Sequence, residues 1–141
     1  VKVITPIVWI EHSTILGFRD EFLRLATDEN SAKQNSNQTL LIEEFLANEM
    51  ENGTITKEQF NKNKQSLKIH VHCHQKALSN QKVTFDILNF PENYRPTLII
   101  SGSCGMAGSF GYEKDHYETS MQIGELRLFP SVRKADMTTI I

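Results

Sequence analysis

Short apolar stretches alternate along the chain with amphipathic segments, which is typical of a domain that interleaves strands and helices. Apolar and largely β-branched runs predict strands at VITPIVWI (3–10), SLKIHVHC (66–73), PTLIIS (96–101) and MTTII (137–141). Apolar strands separated by helices indicate parallel pairing. The predicted fold class is therefore α/β, a Rossmann-like three-layer domain with a mostly parallel sheet of about four strands and helices on both faces.

The segments between these strands carry the helical pattern. Apolar side chains recur every three or four residues from Ile15 to Leu25 and predict a helix over 14–26, with Ser13 as its N-cap. The same pattern predicts further helices over 41–52, 76–88 and 113–129. A capping box at Thr56 predicts another over 57–65. The polar stretch DENSAKQNSNQ (28–38) predicts a surface loop.

Composition narrows the classes of function. A length of 141 residues suits a single domain, and a net charge of −2 argues against a nucleic-acid partner. Two cysteines are too few for a disulfide scaffold, so we expect a reducing, cytoplasmic compartment. Because Val1 is not an initiator Met and MTTII extends to the last residue, we also expect residues 1–141 to be one α/β domain of a longer polypeptide.

The stretch HVHCHQK (70–76) concentrates three histidines, a cysteine and a lysine. A continuing strand would place the histidines on one face and Cys73 on the other. We expect His70 to face solvent or a neighbouring strand, and His72 and His74, at the strand's carboxyl end, to be site candidates. A helix N-terminus with nearby His and Lys side chains favours the thiolate form of Cys73.

A second unusual stretch, SGSCGMAGSFG (101–111), has a glycine at every third position from Gly102 to Gly111. So many glycines indicate a backbone that bends sharply or approaches another group closely. Its amides could bind an anion or the sulfurs of a cluster, although neither a dinucleotide fingerprint nor a P-loop is present. Cys104 lies within this loop.

The carboxyl ends of parallel strands meet at one edge of a sheet, where α/β domains bind ligands. Glu11, Cys73 and Cys104 each follow a different predicted strand, so we expect them to meet there. From the residues alone, three hypotheses stay open. The site is a redox centre held by the two cysteines, a zinc-dependent hydrolase site using His72, His74 and Glu11 with Cys73 as a further candidate, or part of a non-catalytic module that binds a partner.

Two long strings, HCHQKAL (72–78) and SCGMAGSFGYEKDHYETSMQIGE (103–125), closely resemble the cysteine-rich CCG domain. The resemblance is to the version at the C-terminus of bacterial FAD-linked oxidases with an iron–sulfur half. That group includes proteins similar to D-lactate and D-2-hydroxyglutarate dehydrogenases and to the glycolate oxidase system. IEHSTILGFRDE, LLIEEFL and LFPSVRKA are similar to the same group.

This resemblance implies the C-terminal electron-transfer or redox-site domain of an FAD-linked oxidoreductase that oxidises a 2-hydroxy acid such as D-lactate. FAD and most iron–sulfur clusters, 4Fe-4S centres among them, would lie in other segments of the polypeptide, and a final cysteine motif would follow residue 141. The complete protein would be the enzyme. We expect residues 1–141 alone to be inactive and to hold no cofactor.

The resemblance also implies the site residues. Cys73 and Cys104 correspond to metal-binding cysteines, with Ser103 at the first position of the family's double cysteine. Within the redox-site hypothesis, the residues expected to contact or tune the centre are Glu11, His72, His74, Gln75, Lys76, Ser103, Gly105 and Ser109. Implied partners are the remaining domains and an electron acceptor such as a quinone or a carrier protein, with peripheral association with the inner membrane and homo-oligomerisation left open.

Overall fold

The computed structural model describes residues 5–141, in which short strands alternate with helices. The strands are β1 (Ile7–Trp9), β2 (Thr39–Leu41), β3 (Gln65–Ile69) and β4 (Tyr94–Leu98). The helices are α1 (His12–Gly17), α2 (Glu21–Leu25), α3 (Glu29–Gln38), α4 (Ile42–Glu51), α5 (Cys73–Leu78), α6 (Gln81–Asn89), α7 (Tyr117–Leu126) and α8 (Leu128–Arg133). Across residues 5–141, none of the helices has the length and apolar character needed to cross a bilayer.

Parallel strand pairing confirms the α/β class. Within the described residues β1 pairs with β2 and β3 pairs with β4, both in parallel, as two separate ladders. On the opposite edge of β3, Ile140 forms an isolated parallel bridge with Leu67, so the strand predicted at 137–141 contributes a single paired residue. The single sheet of about four strands that the apolar runs predicted is therefore divided.

The strand boundaries differ from the apolar runs. β1 confirms the first predicted strand, whose residues 3 and 4 lie outside the described part of the chain. β3 ends at Ile69, before the predicted end at Cys73. Leu41 was predicted as the start of a helix, but it pairs with Trp9 as the last residue of β2.

The loop prediction for residues 28–38 was wrong, because this segment forms α3. Asp28 caps the helix by accepting hydrogen bonds from the N–H groups of Asn30 at 3.0 Å and Ser31 at 3.2 Å. Ala32 is the buried contact of an otherwise polar helix. The good helix formers in ENSAKQNSNQ and the cap outweigh the absence of an apolar stripe.

Two predicted helices are each divided by a turn. The helix predicted over 14–26 is α1 and α2, and the one predicted over 76–88 is α5 and α6. Asn80 separates the latter pair, because its side chain accepts a hydrogen bond from the Lys82 N–H at 2.8 Å and so begins a new helix.

The C-terminal helical region starts later and breaks earlier than predicted. Its first regular helix begins at Tyr117, after 3₁₀ turns at Phe110–Tyr112 and Lys114–His116. The break lies at Arg127 rather than at Pro130. Pro130 lies in the first turn of α8, where backbone N–H groups have no partner within the helix. The N–H that proline lacks therefore costs no helical hydrogen bond. The helix predicted over 57–65 is only a 3₁₀ turn at Lys57–Gln59.

The core packs α1 against α5. Ile15, Leu16 and Leu41 are at most 2% exposed, and Leu78 of α5 packs against them. Each such side chain contributes about 1.5–3 kcal/mol when fully buried. The core thereby holds α1 against the end of α5, and the rings of His12 and His72 place the first residues of the two helices side by side.

A polar cluster around Glu44 reinforces this arrangement. Arg19 forms a two-pronged ion pair with Glu44, and the Ser79 hydroxyl donates to the same carboxylate at 2.6 Å. The Leu41 N–H donates to it at 3.0 Å. Burial raises the pKa of Glu44, but the hydrogen bonds from Arg19 and Ser79 outweigh it and the net effect is to lower the pKa. The cluster links the end of α1, the start of α4 and the end of α5.

Candidate functional site

A cavity of about 590 Å³ opens beside the carboxyl ends of β3 and β4. It contains both cysteines of the chain, each as a free thiol, with Cys73 exposed and Cys104 half-buried. The lining residues are Ser13, His70, His72, Cys73, His74, Ser103, Cys104, Ala107 and Gly108. Two segments that are thirty residues apart in sequence thus face each other across one space.

The early end of β3 decides which side chains reach this cavity. Because the strand stops at Ile69 and α5 begins at Cys73, the strand alternation that would separate Cys73 from the histidines does not hold. His70, His72 and His74 line the cavity together with Cys73. The prediction that Cys73 faces away from the histidines was wrong for this reason. His70, which was expected to face solvent or a neighbouring strand, lines the cavity.

Three imidazole rings stack along one side of the site. His12 stacks on His72 with ring centroids 5.3 Å apart, and His72 stacks on His74 at 5.4 Å. His12 Nε2 lies 3.1 Å from a Glu43 oxygen. His72 caps α5, because its Nδ1 accepts a hydrogen bond from the His74 N–H at 3.3 Å.

The surroundings of this stack favour a neutral His72. Burial is the main cause that lowers its pKa, and the neighbouring rings of His12 and His74 lower it further, against a smaller opposite effect from Glu11. An unprotonated Nδ1 is also what the α5 cap requires. His72 therefore presents a neutral, polarisable ring beside Cys73.

Glu11 has a more local role than predicted. Its carboxylate accepts hydrogen bonds from the N–H groups of Ser13 at 2.9 Å and Thr14 at 2.7 Å, and also from the Ser13 hydroxyl. These bonds, led by those from Ser13, lower the pKa of Glu11 to about 2. Glu11 does not line the cavity, and Ser13 of the same cap does.

The glycine-rich loop curls tightly around Cys104. Gly105 has φ of +95°, and a Cβ there would collide with the carbonyl oxygen of Ser120 in α7. Ser103 stabilises the bend, since its hydroxyl accepts a hydrogen bond from the Gly105 N–H at 3.0 Å. Ala107 and Gly108 continue the bend with positive φ. The close approach predicted for this loop is thus to α7, at the back of the Cys104 segment.

Lys76, Gln75 and Ser109 lie outside the cavity lining. The Lys76 ammonium donates to the carbonyl oxygens of Ser101 at 2.7 Å and Gly102 at 3.0 Å. Gln75 is 2% exposed and donates from Nε2 to the Thr84 hydroxyl at 2.7 Å, so it joins α5 to α6. Ser109 is an exposed loop residue.

The donor set in the cavity is chemically soft but incomplete. Thiols and imidazoles suit zinc, copper or iron–sulfur centres, and a cluster is commonly held by about four thiolates. Residues 5–141 contain no group of three or more His, Cys, Asp or Glu side chains arranged to hold a metal ion. The described residues therefore do not form a complete metal or cluster site by themselves.

Sequence reasoning missed three contributors to this site. Ser13 was predicted only as a helix cap, and Ala107 and Gly108 only as parts of a loop, yet all three line the cavity. The sequence signal that could have identified them is their closeness to predicted site residues. Ser13 lies two residues after Glu11, and Ala107 and Gly108 follow Cys104 closely.

Comparison with known proteins gives a partial similarity. Over 55 residues the chain is 33% identical to a subunit of the anaerobic glycerol-3-phosphate dehydrogenase of Escherichia coli, both in strain K12 and in O157:H7. The alignment covers 39% of this chain and 14% of the length of those curated relatives. No family model and no solved structure matches the chain. Part of the chain is therefore similar to a subunit of a dehydrogenase, which supports an oxidoreductase context.

Proposed function

We propose that this chain is an electron-transfer or redox-site domain of a dehydrogenase, with Cys73 and Cys104 as ligands of its redox centre. The observation that carries the proposal is that both thiols line one cavity together with His70, His72 and His74. Among the described residues, the lining of this cavity includes no carboxylate. Thiolates are the usual ligands of iron–sulfur clusters, whose potentials depend on neighbouring hydrogen bonds and burial.

The remaining ligands would come from another domain of the complete enzyme or from a separate partner protein. Ser103 occupies the position of a cysteine in the family that the chain resembles. Its hydroxyl is a hard donor and already accepts a hydrogen bond from the Gly105 N–H, so we assign it to the loop bend rather than to the centre. When bound, a cluster would supply one-electron transfer at this edge of the domain.

For the complete enzyme we propose oxidation of a 2-hydroxy acid at FAD, on the strength of the motif strings quoted above. The electrons would pass to a quinone or a carrier protein, in a cytoplasmic enzyme that associates with the inner membrane at its surface. The partial relatives are named for glycerol 3-phosphate instead. Reduction of the complete, anaerobically purified enzyme by D-lactate, D-2-hydroxyglutarate or glycolate, but not by glycerol 3-phosphate, is the expected outcome. The reverse preference would contradict the substrate assignment.

The metal assignment is tested by iron, zinc and acid-labile sulfide analysis of the complete, anaerobically purified protein. We expect Cys104→Ser to lose iron and sulfide together, without a gain of zinc. Ser109→Ala, an exposed substitution in the same loop, is the matched control and should keep both. Equal iron and sulfide contents in wild type and Cys104→Ser would contradict the proposal, and stoichiometric zinc would favour the hydrolase hypothesis.

A further inference from the structure

Two side chains from the Cys73 segment bond to the segment that leads into Cys104. Lys76, one turn after Cys73 in α5, donates to the carbonyl oxygens of Ser101 and Gly102 at 2.7 and 3.0 Å. His70, three residues before Cys73, has its Nδ1 2.7 Å from the Ser101 hydroxyl. We call these two side chains the loop clamp.

The loop clamp acts where the sheet no longer holds the chain. The Ile99 N–H donates to the Ile69 carbonyl at 2.9 Å, one residue beyond the paired part of β4. Past this point the backbone turns away, and the clamp bonds attach residues 101–102 to the start of α5. The Lys76 bonds are charge-assisted, which makes them stronger than bonds between neutral groups.

The other side of Cys104 is fixed independently. Ser103 bonds to the Gly105 N–H, and Gly105 packs directly against the Ser120 backbone. Cys104 therefore lies between an anchor to α7 and the loop clamp to α5. Since Cys73 is the first residue of α5, the loop clamp connects the two thiols by a shorter path than the anchor to α7 does.

We propose that Lys76 and His70 are positioning residues that set the separation of Cys73 and Cys104 across the cavity. Lys76 is not itself a ligand in this assignment, because an ammonium group has no free lone pair. The inference rests on the proposed function in treating the two thiols as one site. It adds the residues that hold the Cys73 segment and the Cys104 segment at a fixed separation.

Thiol cross-linking tests the loop clamp without any metal. Cys73 and Cys104 are the only cysteines of the 141-residue chain, so dibromobimane, which fluoresces strongly once it has joined two thiols, reports on this pair alone. We expect Lys76→Met to lower the cross-linking rate about three- to tenfold, and Lys76→Arg to restore most of it. Rates are divided by the monobromobimane labelling rates of the Cys73→Ser and Cys104→Ser forms, which removes changes in the reactivity of each thiol.

Lys68→Met is the matched control. Lys68 also donates to a backbone carbonyl, that of Ser131 at 3.0 Å, but away from the cavity. The Lys68→Met variant should leave the cross-linking rate unchanged, although its stability falls by an amount similar to that of Lys76→Met. Ser101→Ala removes the His70 contact and a long 3.5 Å bond from the Ser101 hydroxyl to the Ile99 carbonyl, but keeps both Lys76 bonds, so it should give a smaller decrease than Lys76→Met.

Three results would overturn the inference: no cross-linking in the wild type, unchanged rates in both Lys76→Met and Ser101→Ala, or an equal decrease in Lys68→Met. Because the assay contains no iron, its failure is separate from failure of the iron analysis. A protein that binds iron through Cys104 but cross-links normally in both Lys76→Met and Ser101→Ala would retain the proposed function and lose the loop clamp.

Discussion

At the residue scale, two polar side chains fix the helices that flank the cavity. Glu11 begins α1 by binding the N–H groups of Ser13 and Thr14, and His72 begins α5 by accepting from the His74 N–H. Both caps satisfy backbone donors that a helix start leaves unpaired. The residues that cap α1 and α5 therefore also bring Ser13 and the imidazoles to the cavity.

The Glu11 cap predicts a pH dependence of stability. Its pKa is lowered in the folded state to about 2 from an ordinary 4.5, so its contribution is fully present above pH 4.5 and is lost as the pH falls toward 2. Glu11→Gln should lower the free energy of unfolding by about 0.5–1 kcal/mol at pH 7. Urea unfolding at pH 7 and pH 3 should show the difference between wild type and variant shrinking at the lower pH. Glu92→Gln, at an exposed loop position, serves as control, and a pH-independent difference for Glu11→Gln would contradict the cap.

At the element scale, the Glu44 cluster joins α1, α4 and α5 and so keeps the cavity wall in place. Glu44→Gln should lower the free energy of unfolding by about 1–3 kcal/mol, because it weakens bonds to Arg19 and Ser79 that are largely shielded from water. The matched control is Glu125→Gln, which breaks the exposed pair with Arg133 and should lower stability far less, because solvent screens this pair. Equal losses in chemical denaturation would mean that the Glu44 cluster is not a structural link.

The glycine-rich loop gives a second prediction at this scale. Gly105→Ala should destabilise the protein by more than about 1–2 kcal/mol, because its φ is positive and the new methyl group would strike Ser120. Gly102→Ala meets open space and should change stability by no more than about 0.5 kcal/mol. Thermal unfolding of the two variants distinguishes a required glycine from one that is merely present. A Gly105→Ala protein as stable as Gly102→Ala would contradict the close packing of the loop on α7.

The contrast between β3 and α3 shows which elements local sequence determines. The apolar run before His70 predicted β3, because alternation and β-branching are local properties. Helix α3 was missed because Ala32 is its only buried residue, so no apolar periodicity marks it. Likewise, Thr39–Leu41 becomes a strand only through pairing with β1, which a local pattern does not contain.

At the scale of the whole molecule, the meeting of the two cysteine segments followed from topology. Parallel strands send their carboxyl ends to one edge, and Cys73 and Cys104 each follow such a strand. The orientation of individual side chains did not follow, because it depends on where β3 ends and on the register of α5. That register turns Gln75 toward Thr84 and sends Lys76 to the loop.

The central claim is that Cys73 and Cys104 serve one redox centre, and iron content in a double-mutant comparison tests it most directly. Iron and acid-labile sulfide would be measured per molecule of the complete protein in wild type, Cys73→Ser, Cys104→Ser and the double variant, all purified anaerobically. Residues that act as one unit give non-additive losses. We predict that each single variant loses the same amount of iron and sulfide, and that the double variant loses no more than either one. Additive losses, or no loss in any variant, would contradict a centre shared by the two cysteines.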